Sequence, residues 1–273
     1  MRTFIIILFF VIACCGNAGA QKNKTGTGIF ALGVTDTLHS EELAETRALN
    51  IYLPEGYDTA SAAYPVIYLL DGSANEDFIH VTGIVQFLTM IGSMPKTIVI
   101  GIANVDRRRD FTFPTAIVKD KQAYPTTGSS AKFIVFMEKE LQPFVEKKYR
   151  CNGIKTIIGQ SLGGLLGTEI LLKKPRLFNN YIIVSPSLWW NNESLLAEAP
   201  GLLQNQPCQN ITAYVATGKE GKIMEGDAKK LVSLLKQKAA ASVNTVYSYF
   251  PHEDHLTILH NCVYNALMAL NKK

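Results

Sequence analysis

A chain of 273 residues, 47% hydrophobic and 18% charged, is long enough for one large α/β domain and too apolar to remain unfolded. Its net charge of +4 is mild and the basic residues form no long stripe, which excludes a nucleic-acid footprint.

Arg2 is followed by the apolar run from Phe4 to Cys15 and then by Gly16-Asn17-Ala18-Gly19-Ala20. One positive charge, a short apolar core and small residues at Ala18 and Ala20 describe a secretory signal, residues 1–20, cut before Gln21. The run falls short of the roughly 20 residues that span a bilayer, so no transmembrane helix is expected once the leader is gone. Val11-Ile12-Ala13-Cys14 loosely resembles a lipobox, and lipid anchoring at Cys14 is the alternative. Both readings place the mature domain, residues 21–273, outside the cytoplasm in a secreted or periplasmic setting. Cys151, Cys208 and Cys262 remain there; they allow one disulfide, match no metal spacing, and read most simply as buried or loop thiols. Sequons at Asn23, Asn192 and Asn210 matter only in a eukaryotic host.

Residues 28–40 are β-prone, and TRALNIYL at 46–53 alternates polar with apolar, as antiparallel edge strands with one wet face do. PVIYLL at 65–70 is almost wholly apolar, the mark of a strand buried on both faces, and stops at Asp71-Gly72. Helical spacing follows over 76–91, then the buried strand TIVIGI at 97–102, then a charged loop over 104–114. A long amphipathic helix is expected over 129–149, with Pro143 a potential kink. Further strands are expected over 181–184, 211–216 and 246–250, alternating with helices over 193–199, 227–239 and 256–270. Edge strands followed by repeated strand–helix units imply a mostly parallel, twisted sheet with helices on both faces. No insertion is long enough for a large lid domain.

The most informative stretch is IKTIIGQSLGGLLGTE, residues 154–169. A short apolar strand runs into Gly159-Gln160-Ser161-Leu162-Gly163 and passes at once into a helical pattern, the context of a G-x-S-x-G nucleophile elbow. Gly159 and Gly163 leave the serine uncrowded, while Gly164 and Gly167 are expected to let the helix approach the sheet.

A serine is a poor nucleophile at neutral pH and needs a base to take its proton. In this topology the base is a histidine on the loop after the last strand, where only His252 and His255 lie; His255, directly before the final helix, is preferred. The orienting acid is expected after the 211–216 strand, where Glu220 comes first and Glu225 and Asp227 sit near the next helix start, the place of capping acids. The oxyanion of acyl attack needs main-chain N–H donors, expected at Leu162 and at Ser73. In Asp106-Arg107-Arg108-Arg109-Asp110, Arg107 and Arg109 are candidate contacts for an anionic substrate, although alternating charges would equally tie the loop down. Trp189 and Trp190 are candidates for the rim of the substrate pocket.

YLLDG at 68–72, GIANVDRRRDFTFP at 101–114, FMEKELQPFVEKKYR at 136–150, GQSLGG at 159–164 and SPSLWW at 185–190 occur together, in this order. With them the chain resembles the esterase branch of the α/β-hydrolases that contains the siderophore esterases. It is more distantly similar to feruloyl esterases and antigen 85-type mycolyltransferases. The resemblance implies an α/β-hydrolase fold and a serine esterase with Ser161 as nucleophile, His255 as base, Ser73 beside Leu162 at the oxyanion, and no metal or organic cofactor. It implies an acid at Glu220 less strictly, because some siderophore esterases look like Ser–His dyads. Val105 stands where the family's Asn-Thr-Asp-Arg run has threonine. The substrate expected is a small-molecule or polysaccharide-linked ester: a siderophore lactone, or an acyl, acetyl or feruloyl ester. Acyl transfer to a sugar alcohol and a non-catalytic binding role on the same scaffold are the alternatives.

Overall fold

Eight β-rich runs build one sheet. The computed structural model describes residues 30–204 and 210–272, so the leader, Cys14, Asn23 and Cys208 lie outside the described residues. The strands are β1 (Val34–Ser40), β2 (Glu45–Tyr52), β3 (Tyr64–Leu69), β4 (Ile98–Ile102), β5 (Cys151–Gln160), β6 (Asn180–Val184), β7 (Ile211–Gly218) and β8 (Val243–Phe250). Their order across the sheet is β1-β2-β4-β3-β5-β6-β7-β8. The β1–β2 and β2–β4 pairs are antiparallel and every other pair is parallel.

The antiparallel start agrees with the sequence, with one correction: of these first two strands, β1 alone lies at an edge. β2 is an inner strand whose Leu49 and Ile51 are fully buried. Thr46 is exposed and Glu45 partly so, while the inner polar residues Arg47 and Asn50 are buried and find partners. Arg47 pairs with Glu45 and Asp110, and Asn50 donates to the Gly72 carbonyl at 2.8 Å.

Side chains alternate across the central strands, which is why these strands read as unbroken apolar runs. Val66, Tyr68 and Leu70 join the core on one face, Ile67 and Leu69 the core on the other. The second face is covered by α1 (Phe78–Met90) and α9 (Ile258–Leu270). The first is covered chiefly by α6 (Leu162–Lys173) and α8 (Lys222–Lys238). The helix expected over 129–149 forms as α4 (Ser130–Phe136) and α5 (Gln142–Lys148), joined through a wider π turn at Met137–Leu141. Pro143 has no N–H to donate and crowds the preceding turn. The widened turn just before it absorbs that mismatch, so the helix continues.

Three segments differ from expectation. The charged loop contains α2 (Arg107–Phe111), capped by the Asp106 carboxylate, which accepts from the N–H groups of Arg108 and Arg109 at 3.1 and 3.0 Å. A run of arginines has no apolar period to announce a helix. A further short helix, α3 (Val118–Ala123), follows it, and all of its residues are at least partly exposed. The 193–199 helix is longer, α7 (Trp190–Leu203), and opens on left-handed Asn191, Asn192 and Glu193. Cys151 is half-buried and Cys262 buried, both as free thiols. No helix among the described residues is long and apolar enough to cross a membrane.

Candidate active site

The carboxyl ends of the parallel strands converge on Ser161. This residue joins β5 to α6 with φ 58° and ψ −116°, a conformation that costs a non-glycine residue on the order of 1–3 kcal/mol. The strain is held by neighbours: Ser161 N–H donates to the Val184 carbonyl at 3.0 Å, and its own carbonyl accepts from Leu165 at 2.9 Å. The turn is also sterically closed. A Cβ at Gly159 would sit 2.5 Å from the Gly163 carbonyl oxygen, and one at Gly164 would sit 2.9 Å from Pro186 Cα. At Gly167 a Cβ would make only ordinary contact, 3.7 Å from Ile183, so that glycine is not needed for close packing.

Glu220 and His255 arrive from the loops after β7 and β8. Glu220 Oε2 lies 2.6 Å from His255 Nδ1, with the acid side chain 2% exposed and the imidazole 39% exposed. The other carboxylate oxygen, Oε1, accepts from the Gly218 N–H at 2.8 Å and from the Ser185 hydroxyl. Burial pushes this carboxyl up, but the hydrogen bonds from His255, Ser185 and Gly218 outweigh it and hold the group below the usual glutamate range. The neighbouring acids do other work. Glu225 Oε1 accepts from the N–H groups of Glu220 and Gly221 at 3.1 Å each, tying the loop to the first turn of α8. Asp227 lies inside α8, where burial and then Glu193 push it up to about 6. His252 is exposed.

Ser161 and His255 line one cavity of about 620 Å³, together with Tyr124, Ser187, Trp189 and Glu220. The Ser161 hydroxyl makes its side-chain hydrogen bond to Ser187 Oγ at 3.2 Å, not to His255. Hydrogen bonds between groups that exchange a proton are often long without substrate and tighten in the reactive complex. His255 is anchored from behind by Gln160, whose side-chain amide donates to the His255 carbonyl.

The remaining expected site residues divide. Leu162 directly follows the elbow serine, and Ser73 lies in the loop after β3. Leu162 heads α6, where first-turn N–H groups have no partner within the helix. The Ser73 N–H makes one long contact, 3.4 Å to Glu76 Oε2. Arg107 and Arg109 are absent from the cavity lining. Arg107 grips Asp71 and reaches the Gln160 carbonyl, while Arg109 is held by Glu45 and Asp110. These ion pairs therefore fasten the segment, mostly to β2 and the loop after β3, with Arg109–Asp110 the pair inside it. Trp189 lines the cavity, but Trp190 is fully buried, its Nε1 donating to the Phe113 carbonyl at 2.9 Å. Ser185, Ser187 and Gln160 were not singled out from the sequence, since a serine or glutamine beside a strand end carries no local signal of its distant partner.

A sequence profile described as "Putative esterase" matches residues 40–260. The chain belongs to this esterase family. It is 31% identical over 270 residues to the ferri-bacillibactin esterase BesA of Bacillus subtilis, covering 90% of this chain and 93% of the relative. Among solved structures it is similar to an IroE-like serine hydrolase from Shewanella oneidensis, with 30% identity and a TM-score of 0.81 over 88% of this chain and 80% of that one. It is also similar to the BES protein of Bacillus cereus, with 26% identity and a TM-score of 0.78 over 90% and 98% of the two chains. The fold is that of the α/β-hydrolases, and the enzyme is a carboxylic-ester hydrolase.

Proposed function

We propose that this esterase is a serine hydrolase working through an acyl-enzyme at Ser161. The observation that carries the reading is the Glu220–His255 pair at 2.6 Å on the wall of the cavity that also exposes Ser161. His255 takes the Ser161 proton as Oγ attacks the ester carbonyl, and Glu220 holds the imidazole in the tautomer that can accept it. The N–H groups of Leu162 and Ser73 receive the oxyanion. The alcohol leaves with the proton from His255, and water then deacylates the enzyme by the same route in reverse.

For substrate we infer a siderophore lactone or a related small-molecule ester, a reading supported by the 31% identity to a ferri-bacillibactin esterase over nine-tenths of this chain. Fluorophosphonate labelling and p-nitrophenyl acetate turnover of wild type, Ser161→Ala and His255→Ala test the mechanism. Labelling that persists in Ser161→Ala overturns it. Ferric bacillibactin, ferric enterobactin, methyl ferulate and acetylated xylan, each with and without a sugar acceptor, then separate the substrates and distinguish hydrolysis from transfer. We further propose export through residues 1–20, tested by N-terminal sequencing of the mature protein, which should begin at Gln21.

A further inference from the structure

The loop after β6, Ser185-Pro186-Ser187, touches both ends of the proposed catalytic system. Ser185 is held at a positive φ of 43°, and its hydroxyl donates to Glu220. Two residues on, Ser187 Oγ lies 3.2 Å from Ser161 Oγ, and the Ser187 N–H donates to the Ser161 carbonyl at 3.0 Å. Ser187 is 2% exposed, yet it lines the cavity, and its hydroxyl has Ser161 as side-chain partner. The main-chain bond ties Ser187 to the residue that carries the proposed nucleophile.

We propose that Ser187 is a further catalytic residue, whose hydroxyl donates a hydrogen bond to Ser161 Oγ when that oxygen carries negative charge. The inference rests on the reading of Ser161 as the nucleophile. Two hydroxyls facing each other hold one proton between them. If Ser161 supplies it, the nucleophile points away from His255; if Ser187 supplies it, the Ser161 proton is free for the base. The separation favours a role in the transition state. A spacing of 3.2 Å is long for a neutral hydroxyl pair, whereas a hydroxyl donating to a charged oxygen closes to roughly 2.5–2.7 Å. The bond therefore strengthens as Oγ gains charge, the kind of interaction that speeds a reaction rather than merely binding its reactants.

Charge appears on Oγ twice. During attack the Ser161 proton moves to His255 Nε2, the Oγ lone pair forms the bond to the carbonyl carbon, and the carbonyl π pair moves to the oxyanion. During deacylation a water proton moves to His255 and the water oxygen bonds to the acyl carbon. The Oγ–C bond then breaks with its electron pair returning to Oγ, which takes the proton back from His255. Ser187 keeps its own proton throughout and acts only as a donor.

The test is the second-order rate of fluorophosphonate labelling across pH, with the labelled residue mapped by mass spectrometry, for wild type, Ser187→Ala and Ser187→Cys. We expect Ser187→Ala to label about ten- to a hundredfold more slowly, the size of one hydrogen bond to a charged group. The slow rate should hold across the pH range with the acid limb in place, whereas displacement of His255 would move that limb. The thiol, a weaker donor, should fall between. If Ser187→Ala does not fold, Ser187→Cys carries the comparison, and its rate must lie below wild type. Labelling of either variant at or above the wild-type rate, with wild type modified at Ser161, overturns the role of Ser187 alone. Modification of wild type at another residue overturns the nucleophile assignment itself.

Discussion

Arg107 holds Asp71 through two hydrogen bonds, Nε to Oδ1 at 2.6 Å and Nη2 to Oδ2 at 2.9 Å, and the same Nη2 reaches the Gln160 carbonyl at 3.2 Å. One side chain thus ties the loop that carries Ser73 to the residue just before Ser161. Asp71 is itself held at a positive φ of 52°, so the clamp acts on a strained turn. An ammonium cannot reproduce this planar fork. Arg107→Lys should therefore lower kcat on a neutral ester such as p-nitrophenyl acetate about ten- to a hundredfold through misplacement of the donors. Arg107→Ala should in addition lose about 1–3 kcal/mol in urea unfolding, because the buried Asp71 carboxylate is left without its cation. A residue serving only to bind anionic substrate would leave neutral-ester turnover unchanged.

Gln160 performs the matching task beside the proposed base, donating its side-chain amide to the His255 carbonyl. Gln160→Ala removes that tether and leaves every proposed reacting group in place. The expected result is a fall in kcat of about tenfold with KM nearly unchanged, as orientation is lost but binding is not. Steady-state kinetics decide it, and a rise in KM alone would make Gln160 a substrate contact.

Replacing Glu220 by Gln keeps an acceptor for Ser185 and Gly218 but can turn an amide N–H toward His255 Nδ1, favouring the wrong tautomer. Activity should fall about a hundred- to ten-thousandfold, less than in Ser161→Ala. Because the folded-state pKa of Glu220 lies below its unfolded value, the carboxylate adds stability that is fully present above the unfolded pKa of about 4.3. That stability is lost as pH falls through the folded value. Thermal melts of wild type should drop more steeply with acid in this window than those of Glu220→Gln.

The adjacent tryptophans should separate cleanly. Trp190 is completely buried in the core, so Trp190→Ala should cost about 3–5 kcal/mol of stability in denaturant titration. Trp189 stands on the cavity wall, so Trp189→Ala should chiefly raise KM for the preferred ester and lose much less stability.

Short-range signals carried much of this protein into view. Unbroken apolar runs announced the central strands, because a parallel strand buried on both faces must be apolar at every position. Gly159-Gln160-Ser161-Leu162-Gly163 announced the elbow, since its close approaches and strained turn are encoded within a few residues. His255 and Glu220 were reached by position along the strand–helix alternation, a consequence of topology readable in one dimension.

What the sequence could not show is which polar groups meet. Arg107 could be read as an anion contact or as a tie for its loop, and the partner that decides between them lies 36 residues away. Ser185 finds Glu220 across 35 residues, Ser187 finds Ser161 across 26, and Gln160 finds His255 across 95. Trp189 and Trp190 are chemically identical neighbours, and only the fold sends one to the cavity and the other to the core. Local periodicity records how a segment meets its layer; a hydrogen bond between loops depends on where the whole sheet brings their ends. The sequence alone determined the scaffold and pointed to the chemistry proposed for it, and the tertiary structure decided which side chains meet around the proposed site.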